Sequence, residues 1–344
     1  MLHIHNGDAT ANTARQTSLP GEHFAWRESL ITGPTPANVS TDEWRRIRAR
    51  HLSNSYDIDD QQCLAELVAQ EEKLAAAISS HEEIVLWFEH DLFCQIHLVY
   101  LLDRFSRQNL RETKLSLICI NEFPGKEGFR GLGELSADEL TSLFPARREV
   151  TPEQLATANA AWRSYSADNP TAVSELLQTD TNALPFLDAA LRAHLRRFPA
   201  TTNGLGDTKN RALELIAGDS RDFSALFDRF SKSESIYGYG DAQFWLDLRE
   251  LCDGPAPLAI VEDFEIDVLQ HQLLTPELAK TAKFQITAAG EAVLADEADF
   301  ITLNGIDEWL GGVHLHDPEN LWRWDEAAQR LRFSSGPAVS EFGY

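Results

Sequence analysis

Three hydrophobic segments in the first third of the chain each end in a cluster of charged or amide side chains. Short apolar runs that end in polar residues and precede a helical pattern are typical of buried parallel strands. The predicted strands cover residues 2–6, 24–30, 83–89 and 115–122. The predicted helices between them cover residues 9–17, 41–52, 60–79 and 92–105. This alternation predicts an α/β fold with a doubly wound, mostly parallel sheet of flavodoxin-like or Rossmann-like topology.

The rest of the chain shows a different pattern. After residue 125, helical segments continue with N-cap signals at Ser136 and Thr151. From residue 185, short helices are followed by predicted strands at 257–261 and 283–287 and a helix at 288–295, which is the order of a winged helix. We therefore predict an α/β domain at 1–125, a helical extension or connector at 126–184, and a mainly helical, winged-helix-like domain with a tryptophan-rich end at 185–344.

Composition narrows the class of protein. The 344 residues are enough for two domains, and 43% hydrophobic with 24% charged residues is ordinary for a globular protein. There are 54 acidic and 30 basic side chains, so the acidic field repels polyanions and we do not expect nucleic acid as a partner. No signal peptide or membrane span is evident, and the four cysteines form no CxxC pair. We expect a cytoplasmic protein with reduced thiols and no membrane contact.

The carboxyl ends of the predicted strands are the expected ligand site, because open α/β sheets bind ligands beyond these ends. The catalytic candidates there are Asp8, Glu89, His90 and Asp91. The ligand-binding candidates are His5, Asn6, Gly7, Arg27, Glu28, Gln95, Asn121 and Glu122. The carboxylates of Asp8, Glu89 and Asp91 form a hypothetical site for Mg²⁺ or Mn²⁺, which prefer oxygen ligands and can bind a phosphate or activate water.

Each of these candidates has a structural alternative. Asp8 and Asp91 also fit the N-cap positions of the helices that follow them. Arg27 either neutralises the carboxylates or binds a phosphate bidentately. The alternative for Arg27 and Glu28 is a structural salt bridge. Cys94 lies in the first turn of a helix, where a thiol can be a nucleophile, although packing is the ordinary role of a cysteine in an apolar helix.

Three further segments carry candidate chemistry. Loop 125–131 offers glycines and two cations as a phosphate cradle or lid, but it lacks the pattern of a P-loop. His314 and His316 share one face if they lie on a strand, and with Asp317 they suit a transition metal; the alternative is a docking segment with hydrogen-bonded histidines. The predicted helix 241–251 has three acids and one arginine, so we do not expect it to bind DNA.

Several segments resemble a known family. They are His5-Asn6-Gly7-Asp8, Trp26-Arg27-Glu28 with Gly33-Pro34, Leu86-Trp87-Phe88-Glu89-His90-Asp91, Phe129-Arg130-Gly131-Leu132-Gly133-Glu134-Leu135 and Asn304-Gly305-Ile306-Asp307-Glu308-Trp309-Leu310-Gly311-Gly312-Val313-His314-Leu315. With these segments, which span nearly the whole chain, the protein resembles the bacterial "domain of unknown function 1835" family. That family has no established activity, so the resemblance implies no reaction.

The residues themselves leave two main functions open. An enzyme would bind a small phosphorylated or nucleotide-like metabolite at the strand ends and act as a divalent-metal-dependent hydrolase or transferase, with His90 as acid or base and Arg27 on the phosphate. A regulator would bind a ligand in the same crevice. Its winged-helix-like domain would transmit the effect of binding to a protein partner, less readily to DNA. A scaffold without a ligand is a third option. A small-molecule ligand is the expected partner, and a homo-oligomer is left open.

Overall fold

The computed structural model describes residues 1–218, 222–262 and 274–335, and it contains the predicted α/β sheet. Five strands form this sheet: β1 (Leu2–Asn6), β2 (Glu22–Trp26), β3 (Glu83–Glu89), β4 (Lys114–Ile120) and β5 (Arg148–Glu149). They lie in the order β2-β1-β3-β4-β5; β1 to β4 pair in parallel, and β5 runs antiparallel to β4. Because β2 and β3 lie on opposite sides of β1, the carboxyl ends of β1 and β3 border the switch point where such sheets bind ligands.

Helices fill the connections between the strands and continue after β5. They are α1 (Asp8–Ala14), α2 (Thr41–Tyr56), α3 (Asp60–Ser80), α4 (Leu92–Ser106), α5 (Ala137–Leu143), α6 (Pro152–Tyr165) and α7 (Thr171–Leu176), with short 3-10 turns at Leu132–Glu134 and Phe144–Ala146. The predicted caps of α5 and α6 are confirmed. Ser136 and Thr151 each close a capping box, which satisfies backbone amides of the first helical turn.

Alternate side chains of the central strands belong to two separate hydrophobic layers. Leu86 and Phe88 of β3 pack in one layer with α3, α4 and α6, whereas Val85 and Trp87 pack in the other with α1 and α5. Because successive side chains of a strand point to opposite faces, helices cover both faces of the sheet, as in doubly wound folds.

The second half of the chain is mainly helical. Its helices within the described residues are α8 (Leu187–Arg196), α9 (Asp207–Ala217), α10 (Phe223–Ser233), α11 (Asp241–Leu251), α12 (Leu278–Thr281), α13 (Ala288–Leu294) and α14 (Phe300–Asn304), with a 3-10 turn at Ser235–Tyr237. Three antiparallel pairs join β6 (Ala259–Val261) to β7 (Phe284–Ile286), β8 (Glu308–Leu310) to β9 (Val313–Leu315), and β10 (Asn320–Asp325) to β11 (Arg330–Ser335). The predicted strands at 257–261 and 283–287 correspond to β6 and β7, and the predicted helix at 288–295 corresponds to α13. The winged-helix assignment stays a prediction.

One hydrophobic cluster joins the sheet to the second half of the chain. It contains Ile4 of β1 and Leu98 of α4 as well as Leu191 of α8, Phe244 of α11 and Trp324 of β10. The apolar core thus crosses the predicted boundaries at residues 125 and 184, which stay predictions. Within the described ranges, every helix is too short or too polar to cross a membrane.

Two strand ends differ from the prediction in a way that matters for the site. β2 ends at Trp26, so Arg27 and Glu28 lie in the following loop and not on alternate faces of a strand. The reason is that β2 pairs with β1, which itself ends at Asn6 opposite Trp26. β4 ends at Ile120, opposite the last residue of β3, for the same reason.

Candidate functional site

Two buried carboxylates lie at the carboxyl end of β3. Glu89 is the last residue of β3, and Asp91 caps α4 by accepting a hydrogen bond from the Cys94 amide at 2.8 Å. One oxygen of each carboxylate and the Cys94 sulfur all lie within 4.8 Å of one another. The short turn from β3 into α4 thus brings two acids and a thiol together at the carboxyl edge of the sheet.

The Glu89 carboxylate is held by hydrogen bonds. Its Oε1 accepts from the Leu132 amide at 2.5 Å, and its Oε2 accepts from the Cys94 thiol at 2.6 Å. Burial, together with the neighbouring charge of Asp91, raises the pKa of Glu89 to about 7. Burial also raises the pKa of Asp91. The two carboxyl groups therefore titrate as a pair that favours holding a proton near neutral pH.

Two glycines bring backbone close to this pair. At position 131, a side-chain carbon would lie 3.0 Å from Glu89 Oε1. At position 238, where φ is +64°, a side-chain carbon would lie 1.9 Å from Asp91 Oδ1. Glycine fits both the left-handed backbone and the close approach at Gly238. The cover of the carboxylates therefore comes from the glycine-rich loop after β4 and from the segment between α10 and α11.

Asn6 connects β1 to the same group. Its Nδ2 donates to the Cys94 sulfur at 2.8 Å, and its Oδ1 lies 2.8 Å from Nδ1 of His97. Because Nε2 of His97 accepts from the Leu30 amide at 3.2 Å, Nδ1 carries the proton and donates to Asn6. Burial lowers the pKa of His97 to about 3, so the ring stays neutral. Sequence reasoning missed His97, although it lies one helical turn after Cys94.

Asp8 lies outside the buried group. Arg27 donates from Nε and Nη2 to the two oxygens of Asp8, both at 2.7 Å, and these hydrogen bonds lower the pKa of Asp8. Both side chains are about half exposed, 46% for Asp8 and 56% for Arg27. The predicted trio of metal ligands is therefore not brought together; Cys94 takes the place of Asp8 beside Glu89 and Asp91.

The Asp8–Arg27 pair borders a cavity of about 290 Å³. Gly7, with φ +90°, also lines it, and the rest of its wall comes mainly from α2, α3 and Phe93. The Gln70 side chain holds the backbone of Arg27 through two hydrogen bonds, of 2.6 and 3.0 Å. Asn6 precedes Gly7 and bonds to the Cys94 sulfur, so one residue links this cavity to the carboxylate pair.

Glu28 is engaged in a buried salt bridge. Arg48 of α2 donates to its two oxygens at 2.8 and 2.7 Å, and both side chains are fully buried. Arg48 also donates to the backbone carbonyls of Thr32 and Pro34. These contacts favour the structural alternative for Glu28. Sequence reasoning missed Arg48, because an arginine in a polar helix pattern gives no sign of burial.

His5 lies on the other face of the sheet. Its Nε2 is 3.0 Å from Nδ1 of His23, and its ring stacks on Trp87 at 5.5 Å between centroids. Burial lowers the pKa of His5 to about 2, and burial lowers the pKa of His23 to about 4. His5 is therefore a neutral side chain of a buried aromatic cluster.

The other candidates are divided between the site and the surface. Gln95 is buried and donates to the backbone carbonyl at the end of β3 at 2.6 Å. His90 lies edge-on to Phe186, with 6.2 Å between the ring centroids, and its Nδ1 has no hydrogen-bond partner among the described residues. Asn121 and Glu122 are exposed beyond β4.

The C-terminal histidines have hydrogen-bond partners, as the alternative to a metal site expects. His314 lies 2.6 Å from an oxygen of Asp307, and its ring stacks on Trp309 at 4.3 Å between centroids. His316 bonds to the backbone carbonyl of His314. Asp317 bonds instead to Asn320 at 2.9 Å.

The buried group can hold a proton or a cation. Oxygen ligands suit Mg²⁺ and Mn²⁺, whereas a set that includes a thiolate suits Zn²⁺. Burial raises the pKa of Cys94, so its thiol keeps its proton and donates to Glu89. This state disfavours Cys94 as a nucleophile, because the thiolate is the reactive form. All four cysteines are free thiols.

The family resemblance stays a prediction, and its segments fall around two places in the fold. Segments 86–91 and 129–135 contribute the carboxylate pair and the Leu132 amide that bonds to it, segments 5–8 and 26–28 contribute to the wall of the cavity beside Arg27, and segment 304–315 contains β8 and β9. In comparisons with known proteins, no protein-family model and no curated protein matches the chain.

Proposed function

We propose that the protein binds a small phosphorylated or nucleotide-like metabolite at the carboxyl edge of the sheet and acts on it as a hydrolase or transferase. The observation that carries this proposal is the buried Glu89–Asp91 pair beside the switch point between β1 and β3. Among the described residues, no lysine or arginine is paired with either carboxylate. Two like charges in a buried place are costly, and such groups are concentrated where proteins handle a proton or a cation.

In this proposal the pair holds either one proton or one divalent cation. Two carboxylates that share a proton can protonate a leaving group and take up a proton from water. A cation would replace that proton; Mg²⁺ or Mn²⁺ would use the carboxylate oxygens, and Zn²⁺ would also use the Cys94 sulfur. His90, which follows Glu89, is the second proposed acid or base.

The ligand would occupy the cavity beside Gly7 and Arg27. A volume of about 290 Å³ is near the lower limit of small-molecule sites, which suits a sugar phosphate or a single nucleotide better than a dinucleotide. A phosphate would compete with Asp8 for the Arg27 guanidinium, which binds phosphate oxygens bidentately. Asn6 would transmit the position of the ligand to Cys94 and Glu89.

Calorimetric titration with MgCl₂, MnCl₂ and ZnCl₂ tests the cation. We expect weak binding of at least one ion that is lost in Asp91→Asn and Glu89→Gln and kept in Glu122→Gln, an exposed acid at the neighbouring strand end. The measured heat should change with the ionisation enthalpy of the buffer, because the cation releases a proton. No heat with any ion would exclude the cation and leave the proton as the species handled. Equal heats in all variants would place the ions elsewhere.

A thermal-shift assay with AMP, ribose 5-phosphate and inorganic phosphate tests the ligand. We expect stabilisation by a phosphate compound that is weakened in Arg27→Gln and unchanged in Arg15→Gln, an exposed arginine just after α1. Release of inorganic phosphate from a stabilising ester should fall by about 100-fold or more in Glu89→Gln, which is the usual contribution of a general acid or base. If no phosphate compound stabilises the wild type, the proposal fails.

The regulator stays the second proposal, and the contacts of α11 favour it less. The apolar side chains Phe244, Trp245 and Leu248 of this helix are all buried within this chain, in the same hydrophobic cluster as the sheet. The exposed side chains that a partner would meet on the helix are those of Asp241 and Glu250.

A further inference from the structure

A second cavity, of about 300 Å³, lies between α2, α11 and β8. Gly33, His51 and Trp309 contribute to its wall, and the exposed side chains of Asp253 and Asp307 lie where it meets solvent. Two of the segments singled out in the sequence line this cavity, namely Gly33-Pro34 through its glycine and residues 304–315 through β8. The proposed function does not use it.

Two buried side chains of opposite charge line this cavity, each with an unused polar atom. Arg197 is 6% exposed, and its Nη1 has no hydrogen-bond partner within the described part of the chain. Asp247 of α11 is 8% exposed, and its Oδ2 also has no hydrogen-bond partner among the described residues. Buried charged groups are almost always fully paired, because removing them from water without a partner is costly. Two such atoms in one cavity indicate a partner that enters from solution.

The neighbouring charges act on both side chains but form no hydrogen bond to these two atoms within the described part of the chain. Lys209 donates to Glu250 at 2.6 Å and to Glu308 at 2.7 Å, so two acids already share this lysine. The groups that act most strongly on Arg197 are two phenols, those of Tyr239 and Tyr165. Burial raises the pKa of both phenols above the ordinary value of 10.0, so they are neutral, and the carboxylates of Glu308 and Asp247 act on Arg197 more weakly than they do.

We propose that this cavity binds a small basic amino acid, whose carboxylate pairs with Arg197 and whose α-ammonium pairs with Asp247. A guanidinium only donates hydrogen bonds, and an ammonium beside Asp247 favours the ionised carboxylate, which only accepts them, so the ligand must carry both an acceptor and a donor. A second positive charge is favoured because the other acids of the lining outnumber its other basic side chains. These acids are Glu250, Asp253, Asp307 and Glu308, against Arg249 in the lining and Lys209, which bonds to two of them. The volume lies at the lower limit of small-molecule sites, which excludes large ligands.

Calorimetric titration of the full chain with three probes tests this proposal. L-Lysine carries all three groups, cadaverine lacks the carboxylate, and L-norleucine lacks the second ammonium. We expect L-lysine to bind, and the other two probes to bind at least about tenfold more weakly, because each loses one charged interaction. Equal affinity for the three probes, or no binding of either L-lysine or L-arginine, would overturn the proposal.

Matched substitutions locate the site. Asp247→Asn and Arg197→Gln each remove one charge, whereas Asp241→Asn on α11 and Arg192→Gln on α8 change exposed residues and serve as controls. Both site variants should bind L-lysine at least about tenfold more weakly, and the controls should bind it like the wild type. Arg197→Gln should leave cadaverine binding unchanged, since cadaverine has no carboxylate for Arg197.

The result has to be separated from a loss of folding. Circular dichroism checks that each variant is folded. If Arg197→Gln does not fold, Arg197→Lys replaces it. The same weakening of L-lysine binding is expected in Arg197→Lys, because a lysine cannot form the bidentate contact. Unchanged L-lysine affinity in Asp247→Asn or in a folded Arg197 variant would overturn the proposal. Glu89→Gln should bind L-lysine normally, so this site and the strand-end site can fail independently.

Discussion

The buried Glu89 carboxyl group should make the stability of the protein fall as pH rises. An ordinary glutamate has a pKa of 4.5, and burial raises the pKa of Glu89 to about 7. Between these values the folded state binds more protons than the unfolded state. The stabilising contribution of protonated Glu89 is therefore fully present below the ordinary pKa and is lost as the pH rises through the raised one. Glu89→Gln should remove this dependence, because an amide does not titrate.

The size of the effect follows from the two pKa values. From 4.5 to about 7, at about 1.4 kcal/mol for each pH unit, the free energy of unfolding is expected to change by about 3 kcal/mol through this group. Glu89 is only 7% exposed, so screening by solvent reduces this free-energy change little. Burial also raises the pKa of Asp247 to about 7. The difference between wild type and Glu89→Gln, and not the slope of either alone, therefore separates the Glu89–Asp91 pair from Asp247.

Urea unfolding followed by tryptophan fluorescence measures this difference. Between about pH 5 and about pH 8, the free energy of unfolding of Glu89→Gln should rise by about 3 kcal/mol relative to that of the wild type. Glu122→Gln, which changes an exposed acid, should stay parallel to the wild type. A difference between Glu89→Gln and wild type that is constant across this range would refute the reasoning, because it would mean that Glu89 is already ionised in the folded state.

Other contacts predict the outcome of simpler changes. Arg48→Met should lower the free energy of unfolding, measured in urea, by about 3–5 kcal/mol, because it leaves the buried Glu28 carboxylate without its partner. Adding Glu28→Gln should recover part of this loss. A loss below about 1 kcal/mol in Arg48→Met would contradict the prediction. Gly238→Ala should lower the melting temperature, since the new carbon would lie 1.9 Å from Asp91 Oδ1, and an unchanged melting temperature would speak against that contact. Random and genomic duplex DNA at low salt should not bind in an anisotropy assay; micromolar binding that Arg249→Glu abolishes would count against the electrostatic argument.

The elements around the site could be predicted because their apolar periodicity is strong. The bounds of β3 and α11 match the prediction, and α4 extends one residue further. β2 was harder to delimit, because Leu30 and Ile31 continue its apolar pattern and are fully buried without belonging to a strand. A buried apolar segment can therefore have the sequence pattern of a strand although no neighbouring strand is present to pair with it.

The edge of the sheet that carries the site could also be predicted, whereas the partners of its side chains could not. Asp8 meets Arg27 because β2 lies next to β1, and strand order is not visible in local patterns. Cys94, in the first turn of α4, bonds to Glu89 at the end of β3 because the chain turns directly from the strand into the helix. Both contacts depend on tertiary placement, so the sequence pattern could identify the acids but not which of them share a site.

The burial of α4 has a consequence for the chain as it is being synthesised. Most residues of this helix are buried, and part of its cover is the 3-10 turn at Ser235–Tyr237. At ribosomal rates of about 5–20 residues per second, that turn emerges on the order of ten seconds after α4. During this interval α6 and α8 can already cover most of α4, while the part of the helix that meets the turn stays exposed. We expect a chain that ends before this turn to aggregate more readily than the full chain, which light scattering of the two would measure.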